Sequence, residues 1–131
     1  MWKILVVDDN QPSRELLRYF LGGPDRLILQ AEDGPGAVAA TEEFTPDLVL
    51  LDLQLPVWSG YQVLGRIREN PRCRAVPVIA VTAAAMSGER ERALSAGFDA
   101  FIVKPIDGAR LRAAVARLLH NGTWKENHAS R

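Results

Sequence analysis

The chain has 131 residues and a mass of 14.4 kDa, so we expect a single domain rather than a two-domain enzyme. Its 47% hydrophobic and 24% charged residues allow a buried core and exclude a wholly disordered chain. The formal net charge is zero, from 16 basic and 16 acidic residues. This balance argues against a nucleic-acid binder that works through bulk positive charge.

The zero charge is a cancellation between the two halves of the chain. Residues 1–60 hold ten acidic and four basic residues, a net charge of −6. Residues 61–131 hold six acidic and twelve basic residues, a net charge of +6.

Cysteine content and hydropathy favour a cytoplasmic protein. The single cysteine, Cys73, lies in a predicted loop, and we interpret it as a bystander thiol in a reducing compartment. The apolar run that begins at Ile4 stops at Asp8, so it does not resemble a signal peptide. No stretch approaches the roughly 18 apolar residues of a membrane span.

Five short apolar runs punctuate the chain and predict five strands. They lie at residues 4–7, 27–29, 48–51, 76–81 and 101–103. Continuous rather than alternating runs are typical of strands that are covered on both faces, as in a parallel sheet between helices.

The segments between these runs have helical patterns. We predict helices over 13–21, 36–44, 61–68 and 86–96, and a last one that Asp107 caps. In the first helix, Leu16, Leu17, Phe20 and Leu21 are expected to share the inward face. The alternating order predicts a doubly wound α/β fold, (βα)5, with five parallel strands. Residues 121–131 are predicted to form a disordered tail.

Polar or charged residues follow four of the five predicted strands. Asp8 and Asp9 follow the first strand, Asp52 the third, Thr82 the fourth, and Lys104 with Pro105 the fifth. Any one of them alone has an ordinary explanation as a helix cap or a solvated surface residue. Together they predict one binding site, because ligands of open α/β sheets bind at the carboxyl ends of the strands.

The chemistry of this set favours phosphoryl transfer with magnesium. Three neighbouring carboxylates repel one another unless a cation lies among them, and an all-oxygen set suits Mg²⁺. Lys104 adds a second positive charge and Thr82 a hydroxyl, both suited to a transferring phosphoryl group. Asp8 and Asp9 are placed to hold the metal. Asp52 is placed to react, and a carboxylate that attacks phosphorus forms an aspartyl phosphate.

At these residues the chain resembles the receiver domain of two-component response regulators. The motifs are ILVVDDN, DLVLLDLQLPVWSG, VIAVTA and FIVKP, in order, and the resemblance runs from Met1 to about Leu119. It implies a receiver domain over residues 1–120 with the flavodoxin-like strand order 2-1-3-4-5. It also implies a phosphorelay switch rather than an enzyme, one that assists its own phosphorylation and dephosphorylation.

The resemblance further implies a role for each residue of the metal site. Asp52 matches the phosphoacceptor and Asp9 the direct magnesium ligand. Asp8 matches the acid that holds the metal through water. Gln54 matches the position whose backbone carbonyl completes the coordination.

It likewise implies the parts of a conformational switch. Thr82 and Lys104 match the pair that grips the phosphoryl group, and Phe101 matches the aromatic residue that turns inward. The bond between Lys104 and Pro105 resembles the family's cis peptide, since only an X-Pro bond makes the cis form accessible.

The partners implied are a histidine kinase or histidine phosphotransfer protein, and a downstream protein. The downstream partner is expected on the face of helix 4, strand 5 and helix 5, with Arg110 and Arg112 as candidate contacts. The segment VTAAAMSGERERA resembles receivers of hybrid histidine kinases and DivK-type single-domain regulators. No direct nucleic-acid or membrane contact is expected, and the protein is expected to be a monomer or weak homodimer.

Three other functions fit parts of the pattern. A phosphatase of the haloacid-dehalogenase type has an Asp-x-Asp motif after the first strand, whereas here Asp52 follows the third and Gln54 cannot serve as the acid. A flavodoxin-like cofactor carrier needs a phosphate-binding loop where Asp8 and Asp9 would repel phosphate. The third is a phosphorylation-independent pseudo-receiver that acts only as a docking module.

Overall fold

Five strands alternate with five helices along residues 1–83 and 86–121, the parts of the chain that the computed structural model describes. The strands are β1 Trp2–Val7, β2 Arg26–Ala31, β3 Leu48–Asp52, β4 Val78–Thr82 and β5 Ala100–Val103. The helices are α1 Gln11–Leu21, α2 Gly34–Phe44, α3 Gly60–Glu69, α4 Glu89–Ala96 and α5 Gly108–Asn121. Residues 122–131 of the predicted tail lie outside the described residues.

The strands form one parallel sheet in the order β2-β1-β3-β4-β5, which confirms the predicted architecture. Register places Val7 beside Leu51, Asp52 beside Val81, and Thr82 beside Val103. The carboxyl ends of the four strands β1, β3, β4 and β5 therefore meet along one edge.

Both faces of the sheet are covered, which explains the continuous apolar runs. Leu5 and Val49 point into a core with α2, α3 and α4. Ile4 and Leu48 point to the opposite face, into a second core with α1 and α5. In β3 and β4, which are buried along their length, successive residues alternate between the two cores, so each residue before the strand end is apolar.

Three sequence expectations are wrong in detail. The fourth strand begins at Val78, because Val76 closes a 3₁₀ turn on the carbonyl of Cys73 and Pro77 has no N–H. The fourth helix begins at Glu89 rather than at residue 86, after Gly88 with a φ of 82°. Leu16 is 44% exposed, because the buried stripe of α1 runs through Leu17 and Leu21.

Cys73 is not in a loop but at the end of the 3₁₀ turn Pro71–Cys73, fully buried in the core. Burial raises the pKa of its thiol, and nearby Arg72 and Arg68 offset only part of that rise. The thiol is therefore protonated and inaccessible at neutral pH.

Within the described part of the chain, no helix is long and apolar enough to cross a membrane.

Arg68 ties together three segments at the amino-terminal end of the sheet. Its Nη1 donates to the carbonyls of Cys73 at 3.1 Å and Val76 at 2.6 Å, and its Nη2 pairs with Asp99 Oδ2 at 3.3 Å. The same carboxylate oxygen accepts the backbone N–H of Val78 at 2.8 Å. The carbonyl bonds matter more than the ion pair, since half-exposed ion pairs contribute little.

We expect Arg68→Met to lower the free energy of unfolding by about 2 kcal/mol, because the part-buried carbonyl of Val76 loses the Arg68 donor and that of Cys73 keeps only the N–H of Val76. Urea unfolding followed by circular dichroism measures the change. Arg117→Met, on the exposed side of α5, is the control and should change stability by less than about 0.5 kcal/mol. Equal effects of the two substitutions would contradict the assignment.

Two glycines of α3 have opposite surroundings. A Cβ on Gly60 would lie 2.6 Å from the carbonyl oxygen of Asp52 and 2.7 Å from Leu53 Cα, whereas a Cβ on Gly65 meets nothing within 4 Å. Gly60 thus lets α3 start directly against the end of β3. Gly65 sits in an exposed helix interior, where glycine costs conformational entropy.

These surroundings predict opposite effects of the same substitution. Gly60→Ala should destabilise the protein by about 2–3 kcal/mol, because backbone atoms must move apart. Gly65→Ala should stabilise it by about 0.5–1 kcal/mol. Thermal and urea unfolding of the pair provide the measurement, each variant serving as the other's control. A tolerated Gly60→Ala would show that α3 does not pack this closely on β3.

Candidate functional site

Three carboxylates converge at the carboxyl edge of the sheet. Asp8 and Asp9 directly follow β1, and Asp52 ends the neighbouring strand β3. One oxygen of each lies within 4.8 Å of the others. Asp8 is 1% exposed and Asp52 5% exposed, whereas Asp9 is open to solvent. The cluster therefore has two buried members and one that faces the entrance.

Lys104 supplies the positive charge that two buried carboxylates require. Its Nζ lies 2.7 Å from Asp8 Oδ2 and 3.2 Å from Asp52 Oδ2. Lys104 follows β5, and its backbone N–H donates to the carbonyl of Thr82 at 2.9 Å. A side chain 96 residues away from Asp8 thus completes the site.

Backbone N–H groups hold the other oxygen of each buried carboxylate. Asn10 N donates to Asp8 Oδ1 at 2.9 Å, and Gln54 N donates to Asp52 Oδ1 at 2.8 Å. In each case the residue two positions later is the donor, a local turn that fixes the carboxylate plane. The backbone hydrogen bonds therefore hold each carboxylate in an orientation in which its Oδ2 faces Lys104.

Burial and charge shift the titration of the paired groups. Burial raises the pKa of Asp52, and the Gln54 N–H and the charge of Lys104 offset part of that rise. For Lys104, burial lowers the pKa, but the hydrogen bond to Asp8 and the charge of Asp52 outweigh it and raise the pKa overall. Lys104 is therefore firmly protonated at neutral pH.

The donor set fits a magnesium ion. All three side chains offer oxygen, and the cluster of described groups has neither Cys nor His, as a hard divalent cation prefers. Lys104 neutralises only part of the charge of three carboxylates, so the cluster still attracts a cation.

The other predicted residues lie around this cluster. Thr82 is fully buried at the end of β4, Phe101 is half-buried in β5, and the side chain of Gln54 is exposed. The peptide between Lys104 and Pro105 is cis, which confirms that expectation. The structure brings Asp8, Asp9, Asp52 and Lys104 together; the roles of all these residues in binding and switching stay predictions.

Sequence reasoning missed two residues that shape the site. Arg14 Nη1 donates to the carbonyl of Asp8 at 2.7 Å, and its Nε reaches Gln30 on β2 at 3.2 Å. Asn10 caps α1 by accepting the N–H of Ser13 at 2.9 Å. An Asn just before a helical Pro was a readable capping signal. No local signal marks Arg14, because its partners come together only in the fold.

The loop after Asp52 contains an unusual backbone conformation. Val57 has a φ of 71°, and the N–H of Trp58 donates to the carbonyl of Pro56 at 2.8 Å. This is a three-residue turn, and its positive φ is unfavourable for a β-branched residue. Val57 is also 77% exposed.

Residues 4–116 match the family described as response regulator receiver domain. The polar-differentiation response regulator DivK of Brucella anthropi is 36% identical over 107 residues, covering 82% of this chain and 87% of DivK. The response regulator PleD of Caulobacter vibrioides is 36% identical over 116 residues, covering 88% of this chain but only 26% of PleD.

A similar solved structure is the receiver domain of a sensor histidine kinase from Pseudomonas aeruginosa PAO1, with a magnesium ion coordinated in its active-site cleft. It has a TM-score of 0.82 and 34% sequence identity, and the match covers 91% of this chain and 98% of that one. The matches to a DivK and to a histidine-kinase receiver agree with the narrower resemblance seen in the sequence.

We expect Lys104→Gln to destabilise the metal-free protein by about 2 kcal/mol, because two buried carboxylates lose their counter-charge. Added Mg²⁺ should reduce this deficit, since the ion replaces the missing charge. Urea unfolding in EDTA and in Mg²⁺ measures both effects, with Arg117→Gln as a surface-charge control. If Mg²⁺ changed the stability of neither the unsubstituted protein nor Lys104→Gln relative to EDTA, the cluster would not take the ion.

Proposed function

The chain belongs to the response regulator receiver domain family of two-component signalling, and we propose that Asp52 is its phosphoacceptor. The donor is a histidine kinase or a histidine phosphotransfer protein. The observation that carries this proposal is the position of Asp52. It is buried at the end of β3, with Lys104 Nζ 3.2 Å from one oxygen and a backbone N–H on the other.

In the proposed reaction, a carboxylate oxygen of Asp52 attacks the phosphorus of a phosphohistidine. The P–N bond breaks, its electron pair returns to the imidazole, and a new P–O bond to Asp52 forms. Lys104 moves from its pairing with the free carboxylate to a phosphoryl oxygen, and the Thr82 hydroxyl donates to another. Apart from Asp52, no residue of the chain forms or breaks a covalent bond in this reaction. The other residues therefore contribute to the rate by positioning the groups and neutralising charge.

Magnesium is the proposed cofactor, with Asp8, Asp9, Asp52 and the backbone carbonyl of Gln54 as its protein ligands. When bound, it neutralises charge on the phosphoryl oxygens during transfer. Asp9 contacts the ion directly and Asp8 holds it through water.

Receiver domains are signalling modules rather than classical enzymes, and we assign residues 1–120 to this unit. Phosphorylation is proposed to draw Thr82 toward the phosphoryl group and Phe101 inward, which changes the face formed by α4, β5 and α5.

A depression of about 270 Å³ on this face supports its assignment as the partner-binding surface. It is lined by Arg90, Phe101, Ile102, Val103, Pro105, Asp107 and Arg110. A downstream protein binds there, with Arg110 as a contact. Arg112, the other predicted contact, lies instead over the ring of Phe20 in α1, with its guanidinium carbon 5.6 Å from the ring centroid. The proposed assembly is a monomer or weak homodimer without nucleic-acid or membrane contacts.

The proposal predicts a covalent adduct that depends on Asp52. Incubation with acetyl phosphate and Mg²⁺ should add one phosphoryl group to the intact mass, and mild base should remove it. Asp52→Asn should abolish the adduct, because an amide is not a nucleophile toward phosphorus at neutral pH. Asp25→Asn, on the exposed β2 side, is the matched control and should leave the adduct yield unchanged.

Three outcomes would contradict the proposal. An adduct that survives Asp52→Asn would place the phosphoryl group elsewhere. No adduct, with partner affinity unchanged by a phosphoryl mimic, would indicate a docking module. Steady release of phosphate from generic monoesters at enzyme-like turnover would indicate a phosphatase.

A further inference from the structure

The helix α4 is weakly anchored by its own sequence. It has eight residues, and its N-cap residue, Gly88, provides no side-chain hydrogen bond. Ala93 is its one buried side chain, and Leu94 is 40% exposed. Such a helix has little apolar area to hold it on the sheet, so a few specific contacts determine its position.

A cluster around Tyr61 provides those contacts. The hydroxyl of Tyr61, in the first turn of α3, donates to Glu89 Oε2 at 3.0 Å. The rings of Tyr61 and Phe98 pack edge to face, with their centroids 5.7 Å apart. The guanidinium of Arg92 lies 4.6 Å from the Tyr61 ring centroid and 3.8 Å from Glu89. The cluster Tyr61, Glu89, Arg92 and Phe98 therefore joins the start of α3 to the start and end of α4.

Within this cluster the Tyr61 to Glu89 hydrogen bond is the strongest contact. The side chain of Glu89 is 16% exposed, whereas that of Arg92 is 71% exposed, so water screens the arginine contacts much more. Burial, and then the hydrogen bond and charge of Glu89, raise the pKa of Tyr61. The hydroxyl therefore stays protonated and remains a donor to the carboxylate.

Tyr61 is also attached to the acidic cluster through the backbone. The preceding residue, Gly60, donates its N–H to the carbonyl of Leu53 at 3.0 Å and packs on the backbone of Asp52. A second link to the acidic cluster runs along the chain, because α4 follows β4, which ends at Thr82. Tyr61 thus holds α4 to the strand that carries Asp52. Thr82, the residue proposed to bind the phosphoryl group, lies seven residues before the start of α4.

We propose that Tyr61 clamps α4 against α3 in the unphosphorylated protein, and that the α4–β5–α5 face changes only when this clamp opens. Two states of α4, docked and released, are in equilibrium, and the Tyr61 to Glu89 bond favours the docked one. A phosphoryl group shifts the equilibrium by pulling on Thr82, provided that it interacts more favourably with the released state. The first part of the proposal is independent of the function proposed above; the second part rests on it.

Hydrogen–deuterium exchange of the intact chain tests the clamp directly. In Tyr61→Phe, the amides of residues 92–96 should exchange about tenfold faster than in the unsubstituted protein, because a hydrogen bond to a charged acceptor is lost. Amides of β1 and β3 should not change. Tyr19→Phe, at a residue that is 80% exposed, also removes a tyrosine hydroxyl and is the matched control.

The carboxylate side of the bond has its own matched pair. Glu89→Gln keeps an acceptor but removes the charge, so we expect an increase of about threefold in α4 exchange, smaller than that of Tyr61→Phe. Glu91→Gln removes an exposed charge from the same first helical turn, so it is the control for the helix-dipole effect and should change α4 exchange by less than about twofold. The double variant Tyr61→Phe/Glu89→Gln should exchange less than twofold faster than Tyr61→Phe, because both changes act on the same hydrogen bond and the Arg92 pair that Glu89→Gln also breaks is screened by water.

Two results of these measurements would overturn the clamp. One is α4 exchange in Tyr61→Phe within twofold of the unsubstituted protein. The other is faster exchange of β1 and β3 to the same degree, since that would show a general loss of stability rather than local release.

The coupling to Asp52 is tested with acetyl phosphate and Mg²⁺, with intact mass recorded on the same samples. In the unsubstituted protein the adduct should speed α4 exchange, and in Tyr61→Phe it should add less than twofold to the already fast exchange. An adduct without a change in α4 exchange would overturn the coupling. Absence of an adduct would refute the proposed function instead, and the clamp would then be judged from the untreated samples.

Discussion

The structure depends on one electrostatic constraint: two carboxylates, Asp8 and Asp52, are buried side by side at the end of the sheet. Charged groups in such a place are costly unless they are paired and hydrogen-bonded. Here one oxygen of each carboxylate accepts a backbone N–H, and the other faces the ammonium of Lys104. The same arrangement that makes the buried charges tolerable leaves an acidic cleft that a metal ion and a phosphoryl group can complete.

The covered parallel sheet is what brings these charges together. Because helices pack on both faces, the central strands β3 and β4 are buried along their length, and polar side chains of these strands appear only where the strands stop. The carboxyl edge holds the acidic cluster with Lys104. The amino edge holds Arg68, which bonds the carbonyls of Cys73 and Val76 and keeps the opposite end of the sheet closed. The two ends of the sheet thus differ: the candidate site lies at the carboxyl end, and a structural set of hydrogen bonds lies at the amino end.

The helices are not equally attached to this sheet. α1 and α5 bury leucine and valine side chains in one core, and α3 buries Val63, Leu64 and Ile67 in the other. α4 buries only Ala93 and relies on the Tyr61 cluster. A signalling protein needs one element that can move without unfolding the rest, and α4 combines weak packing with a direct chain connection to Thr82.

The sequence by itself determined the fold class, the strand ends and most of the site. Continuous apolar runs specify strands that are buried on both faces, and the residues that follow them, Asp8, Asp9, Asp52 and Lys104, had to lie at one edge. Local patterns also predicted the helices, with three errors of detail. Leu16 was assigned to the buried face of α1, although a shift of one residue around the helix exposes it. The starts of β4 and α4 were placed too early, because a turn precedes each of them. The tertiary structure alone decided which oxygen of each carboxylate faces Lys104. It alone decided that Arg14 and Gly60 support the site and that Tyr61 bonds Glu89. Those contacts depend on how the helices pack on the sheet. The local spacing of residues in the sequence does not specify that packing, so it could not predict them.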